Sequence, residues 1–363
     1  MSEAVPARDP VETARTLERW LSGQLDADRV TVTDLSVPKA GFSNETILGR
    51  ARWSDTNRID REIEFVLRIE PTGHQLFVEP DALRQAKVMV ALEGHVPVPR
   101  IWLTESDRSV LGAPFFMMER VHGRIPGDVP SWHRKGWTFD LIPTDRTRLH
   151  DNALRQLANL HAVDTTPKAF RFLETGDDAH DHGSALARYI GHLHTWYEWC
   201  EPVRKYGTDV IDVAMQFVTD EMPTDPRRSV VWGDARVGNI IFADDLSVAA
   251  MLDWEGATLG PPEIDVAWWV MFDEFLCEAN GLTRLDGVAN RIQTFERYEQ
   301  LSGRQLRNIG YFEVLAGLTL ALINSRLADL LITTGKAPEP FAAEIVTRVT
   351  DITNRSLNRV AGG

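Results

Sequence analysis

The residues whose types and spacing suit chemistry are Asp234, Asn239 and Asp253, gathered in residues 230–254 with Arg236 between the first two. Each adjoins an apolar run (Val230-Val231, Ile240-Ile241-Phe242, or residues 248–252) where a core segment has no use for a polar side chain. The two later runs are short and β-rich, with Asp244-Asp245 between them as a turn, so they read as a hairpin. A hairpin brings the start of its first strand beside the end of its second. That places Asn239 next to Asp253, with the Asp234 loop just upstream. Two carboxylates and an amide oxygen converging at one sheet end suit a hard cation such as magnesium, which takes oxygen ligands and keeps several waters. Any one of the three, taken singly, reads equally well as a turn former. It is the set that points to chemistry.

The order of these parts (Asp, four residues, Asn, a hairpin, then Asp after an apolar strand) resembles the catalytic and metal-binding loops of the protein-kinase-like fold. Gly-Asp-Ala-Arg-Val-Gly-Asn at 233–239 and Leu-Asp-Trp-Glu at 252–255 resemble, more specifically, the aminoglycoside phosphotransferase family. The resemblance implies an α+β, bilobal protein-kinase-like fold. Its small antiparallel-sheet N-lobe would span 1–118 with a leading helix at 9–23, a hinge would follow at 119–123, and a larger, mainly helical C-lobe would fill 124–363. It also implies transfer of the γ-phosphoryl group of ATP, with Mg2+, to a hydroxyl of a small molecule. Asp234 would be the base and Asn239 and Asp253 the magnesium ligands. Arg236 would hold the γ-phosphate or Asp234, or be an ordinary surface arginine.

The resemblance assigns the nucleotide to further residues, with departures from the family pattern. The loop Lys39-Ala-Gly-Phe-Ser-Asn-Glu45 lies between two candidate strands, where backbone amides can fold over phosphates; it has few glycines, so Gly41, Phe42, Ser43 and Asn44 would do that job. Arg68 stands where most kinase-like enzymes keep a lysine on the α- and β-phosphates, and its fork is not equivalent to an ammonium. The usual glutamate partner is replaced by Gln85, with Glu79 the other candidate. Backbone groups of Glu119 and Val121 would meet the adenine edge. Trp232 replaces the histidine common before Gly233, at a position expected to buttress the loop.

Several elements must position these residues. Asp9 as N-cap, Pro10 in the first turn and Glu12 in a capping box predict a helix to Gly23, with Ala14, Leu17, Trp20 and Leu21 as its apolar stripe. Strands are expected at 30–37, 46–53 and 62–69. In the last, Ile63, Phe65, Leu67 and Ile69 share one face and Arg68 takes the other. A helix at 81–93, strands at 100–103 and 114–123 around a turn at 105–109, and an irregular stretch at 127–143 follow. Helices are expected at 145–163, 185–200, 265–278, 285–301, 308–333 and 341–360. Leu149, Leu154, Leu157 and Leu160 line the first of these, and His161 at its end reads as packed or capping. Asp265 reads as an N-cap that also braces the catalytic loop. His180, His182, His192 and His194 lack the cysteines that would make a metal pattern. Trp196, Tyr197 and Trp199 are either core or the wall of an acceptor pocket.

Composition narrows the class. At 363 residues, with 43% hydrophobic and 25% charged residues, the chain reads as one large or two moderate globular domains. A net charge of -14 argues against a nucleic-acid partner and favours a cationic acceptor by steering. Two cysteines form no metal or disulfide pattern, the N-terminus lacks a signal-peptide core, and no apolar stretch reads as a membrane span, so a cytoplasmic location is expected. The competing reading is a catalytically weak nucleotide-binding protein used for sensing or partner binding. Arg68 and Gln85 favour it; Asp234, Asn239 and Asp253 oppose it. A hydrolase is remote, since no Gly-x-Ser-x-Gly nucleophile is present.

Overall fold

Asp9 starts the first helix, α1 (Pro10–Gln24), by accepting hydrogen bonds from the amides of Val11 and Glu12. Glu12 does not return the bond a capping box needs, so the expected cap is only half formed. The chain is seen in a computed structural model that describes residues 8–25, 27–38, 45–55, 58–73, 76–174, 184–224 and 227–362. It forms two compact units: the residues up to Glu93 with Val98–Val121, and Gly94–Pro97 with the residues from His122 onward.

The first unit holds a five-stranded antiparallel sheet in the order β1-β2-β3-β5-β4. These strands are β1 (Val30–Ser36), β2 (Glu45–Ser54), β3 (Asp60–Ile69), β4 (Ile101–Glu105) and β5 (Phe115–Glu119). Helix α2 (Ala82–Leu92) lies between β3 and β4, and the expected turn after β4 contains a short helix, α3 (Arg108–Leu111), capped by Asp107. Alternation in β3 works as its sequence dictates. Phe65, Leu67 and Ile69 are fully buried against Leu17, Trp20 and Leu21 of α1. The Trp20 indole donates to Glu105 at 2.6 Å, which lets a large ring be buried without an unpaired N–H.

The second unit is mainly helical. Its helices are α4 (Pro143–His161), α5 (Ala185–Cys200), α6 (Thr208–Asp220), α7 (Glu263–Leu276), α8 (Arg291–Ser302), α9 (Ile309–Thr333) and α10 (Glu339–Ala361). Two small antiparallel ladders lie among them: β6 (Ser229–Val231) with β9 (Thr258–Gly260), and β7 (Ile240–Phe242) with β8 (Val248–Met251). Helix α8 begins at Arg291 rather than 285, because Asn290 and Gln293 form a reciprocal capping box there. Leu149, Leu154, Leu157 and Leu160 of α4 are all buried as expected.

The absence of a membrane-spanning stretch needs correction: α9 is long and apolar enough to cross a bilayer by length and composition alone. Most of its apolar window is nevertheless buried inside the unit, and a helix covered on all sides has no need of an amphipathic pattern. Cys200 and Cys277 are both buried and free.

Candidate active site

The hairpin register sets the site. Ile240 pairs with Met251 and Ile241 with Ala250, and the Leu252 amide donates to the Asn239 carbonyl at 2.8 Å. Asp253 therefore follows one residue beyond Asn239's partner, the juxtaposition that the hairpin reading requires. Asp253 sits in the left-handed region, φ 60° and ψ 63°. Aspartate tolerates that conformation better than most residues, at a cost of about 1 kcal/mol or more. Gly233, before Asp234, has φ 87°, and a Cβ there would lie 2.2 Å from the Gly256 carbonyl oxygen. Only glycine lets the two loops approach so closely.

Asp234 is clamped rather than left to rotate. Arg236 Nε donates to both its carboxylate oxygens at 3.0 Å, Asn239 Nδ2 donates at 2.7 Å, and the Trp268 indole donates at 2.9 Å. The last donor was not legible in the sequence. It comes from α7, whose residues Asp265, Trp268 and Phe272 are spaced at i, i+3 and i+7 and so share one face. Each touches the loop. Asp265 accepts from the Trp232 and Gly233 amides at 2.7 and 2.8 Å, and the Phe272 ring lies 4.8 Å from the Arg236 guanidinium carbon.

Asp265 corrects an expectation. It lies inside the first turn of α7, after an N-cap at Pro262, and braces the loop before Asp234 without capping the helix. His161 is packed, as expected: its ring nitrogens meet Asp265 at 2.9 Å and the Tyr298 hydroxyl at 2.7 Å. Trp232 is fully buried, donates its indole N–H to the Leu252 carbonyl at 2.8 Å and lies 5.5 Å from Trp254, ring centre to ring centre. It ties the loop to the end of the hairpin.

Carboxylates gather in this corner. Asp128, from the irregular stretch, forms an ion pair with Arg236, so one guanidinium faces Asp234, Asp128 and Asp253. Burial works against the Arg236 charge, but these carboxylates outweigh it and hold the pKa above its ordinary value. Burial pushes the Asp128 carboxyl up, while Arg236 pulls it down. Three carboxylates thus act on one guanidinium.

The donor set fits magnesium. Asn239 turns its Nδ2 to the Asp234 side chain and carbonyl, which leaves Oδ1 to coordinate, and Asp253 supplies a carboxylate. Among the described residues no group of three or more His, Cys, Asp or Glu could hold a metal alone. Two protein oxygens suit an ion that completes its shell with phosphate and water.

The other assigned residues are placed as follows. Arg68 lies on β3 opposite Thr46, and its guanidinium donates to the Thr46 hydroxyl at 3.3 Å. Gln85 is buried on α2 and Glu79 is exposed. The Glu119 amide is used by the Arg100 carbonyl at 2.8 Å, so it does not serve the adenine edge. Gly41, Phe42, Ser43 and Asn44 lie outside the described residues, as do His180 and His182. His194 meets the Thr219 hydroxyl at 3.0 Å. Trp196 is buried, and the rings of Tyr197 and Trp199 lie under Arg204 and Arg326, each at 3.9 Å.

The sequence profile described as the phosphotransferase enzyme family matches residues 35–301. The chain belongs to the phosphotransferase enzyme family. Among solved structures, it is similar to an aminoglycoside phosphotransferase-like protein of Ralstonia eutropha JMP134, with 21% identity and a TM-score of 0.69, covering 95% of this chain and 98% of that one. It is similar to a thermostable mutant of aminoglycoside phosphotransferase APH(4)-Ia in ternary complex with ADP and hygromycin B, with 15% identity, a TM-score of 0.54 and coverage of 94% and 98%. A Plasmodium vivax ethanolamine kinase is also similar, with 13% identity, a TM-score of 0.55 and coverage of 88% and 81%. At such identities the likeness is one of fold, here the α+β, protein-kinase-like fold. Among curated proteins, the mouse acyl-CoA dehydrogenase family member 10 is 29% identical over 254 residues, 69% of this chain and 21% of that protein. The human family member 11 is 26% identical over 267 residues, 71% of this chain and 31% of that protein. The chain thus spans a third or less of the length of these two relatives.

Proposed function

We propose that this family member transfers the γ-phosphoryl group of ATP, with magnesium, to a hydroxyl of a small molecule. The observation that carries the reading is the clamped Asp234, with Asn239 and Asp253 set beside it by the hairpin. Phosphoryl transfer asks a protein chiefly for positioning and charge stabilisation, and a carboxylate held by three side chains is a positioned group. Asp234 accepts a hydrogen bond from the acceptor hydroxyl and takes its proton as the new O–P bond forms. The bond from the γ-phosphorus to its bridging oxygen breaks, and ADP leaves with that electron pair. Asn239 and Asp253 would hold magnesium, which would offset the charge of the phosphates. Arg236 keeps Asp234 in place. Arg68 and the 41–44 loop are assigned to the phosphates, and the Glu119 carbonyl and Val121 amide to the adenine edge.

The small hydroxylated acceptor is left as a class. Hygromycin B, in the APH(4)-Ia complex, is one such molecule, and the acidic net charge suits a cationic one. We assign phosphoryl transfer to this chain, and not the dehydrogenation in its curated relatives' names, because it is the phosphotransferase profile that covers its residues. A nucleotide-binding protein without turnover is the second reading, favoured by a buried Gln85 that cannot form an ion pair. Calorimetric titration with ATP, with and without magnesium, tests the proposal on wild type and Asp253→Asn. The expected result is magnesium-dependent binding in the wild type, weakened about tenfold or more in the variant. A loss that is the same without magnesium would count against Asp253 as a ligand. No binding to folded wild type would sink the enzyme reading.

A further inference from the structure

Arg236 is held from more sides than a loop arginine needs to be. Only its Nε–H is spent on Asp234, while Nη1 reaches Asp128, a residue 108 positions earlier in the chain. Its plane lies against the Phe272 ring. Below the pair is Gly238, where an added Cβ would sit 2.5 Å from Arg236 Nη1 and 2.6 Å from Asp128 Oδ1. The arginine and the aspartate therefore fill the space that a side chain at 238 would take. A solvent-exposed pair of this kind would contribute little. This one is partly buried, and a planar fork shared between two carboxylates has few orientations open to it.

We propose that Asp128 is a positioning residue for phosphoryl transfer, acting on Asp234 through Arg236. This rests on the reading of Asp234 as the base. By taking the far end of the guanidinium, Asp128 restricts what Arg236 gives Asp234 to a single N–H. The base stays oriented yet retains acceptor capacity for the incoming hydroxyl. Without Asp128, the arginine could swing and grip Asp234 end-on with its two Nη groups, releasing Nε–H and pairing the base off instead of aiming it. Asp128 also borders a small cavity of about 10 Å³ that Trp132 and His150 line with it.

The test is a double-mutant cycle of Asp128→Asn and Arg236→Gln, read as ATP turnover with water as the acceptor. Asp128→Asn should lower kcat about a hundredfold with KM for ATP nearly unchanged, and Asp128→Glu should recover part of the loss. In the Arg236→Gln background, Asp128→Asn should have no further effect, since residues acting as one unit are not additive. Additive losses, or a change confined to KM, would overturn the proposal. A second readout needs no turnover. The Arg236 Nε–H resonance, assigned by its disappearance in Arg236→Gln, should be protected from solvent exchange in the wild type and lose that protection in Asp128→Asn. Unchanged protection refutes the clamp. If wild type binds no magnesium-ATP, the functional reading fails, while the resonance still decides whether Asp128 holds Arg236.

Discussion

Two aspartates in the second unit are each held by an arginine and a ring N–H, and they differ in what surrounds them. Asp273 meets His133 at 2.8 Å and Arg284, and Arg284 goes on to Glu278 and the Ala289 carbonyl. That network joins α7 to two irregular segments, and one arginine serves both of its carboxylates. Asp234 likewise shares its arginine, with Asp128, and a third carboxylate, Asp253, acts on the same guanidinium. The same residue types make a cross-link between segments in one place and a gathering of carboxylates around one arginine in the other. What marks the candidate site is that gathering, more than the presence of an ion pair.

Exchanging the roles would break this contrast most severely. Asp234→Asn should lower turnover by about 10² to 10⁴ with little change in melting temperature or nucleotide affinity. Asp273→Asn should do the reverse, costing about 3 kcal/mol of stability, because it takes an acceptor from the fully buried His133 as well as from Arg284. Turnover per folded molecule should survive it. Thermal melts beside ATP turnover would show both, and a stability loss in Asp234→Asn equal to that of Asp273→Asn would erase the distinction.

A pH effect sharpens the structural side. Burial pushes His150, near Asp273, His133, Arg284 and Asp151, down to about 4. The unfolded chain takes up this proton first on acidification, since an ordinary histidine titrates near 6.5. The contribution is therefore complete above about 6.5 and is lost as pH falls towards 4, by about 3 kcal/mol in all. Asp273 acts lower. Burial alone would raise its pKa, but the His133 hydrogen bond and Arg284 hold it at about 2, so its contribution fades only below about pH 4. Denaturant melts of His150→Leu should lose the slope between pH 6.5 and 4, and a slope retained there would assign it to other groups.

The smallest effect probes the catalytic side. Trp268→Phe keeps the ring and removes one donor from Asp234. Turnover should fall roughly tenfold, with about 1 kcal/mol lost in stability. A stability loss without any rate change would make the indole a packing group only.

Much of this was legible in the sequence because it was local. β3 alternates, so its buried face could be named residue by residue. The hairpin at Ile240–Phe242 and Val248–Met251 placed Asn239 near Asp253 from spacing alone. The buried leucines of α4 followed from helical periodicity. Errors came where the signal was also local but ambiguous. An aspartate near a helix start, Asp265, reads as a cap in sequence, yet it serves the amides of a loop more than thirty residues earlier. Helix α9 is apolar on every face, and composition alone cannot tell a core helix from a membrane span.

The sequence by itself determined the family's chemical order, Asp234, Asn239 and Asp253 around a short hairpin, since hydrogen-bonded pairing between neighbouring segments fixes who stands beside whom. Only the tertiary structure decided what holds Asp234 still. Trp268 and Phe272 come from a helix whose pattern is apolar on both faces, and Asp128 comes from a stretch with no periodicity. Their place at the site is set by how α7 and that stretch pack, where close contact between segments far apart in the chain leaves no mark on local sequence.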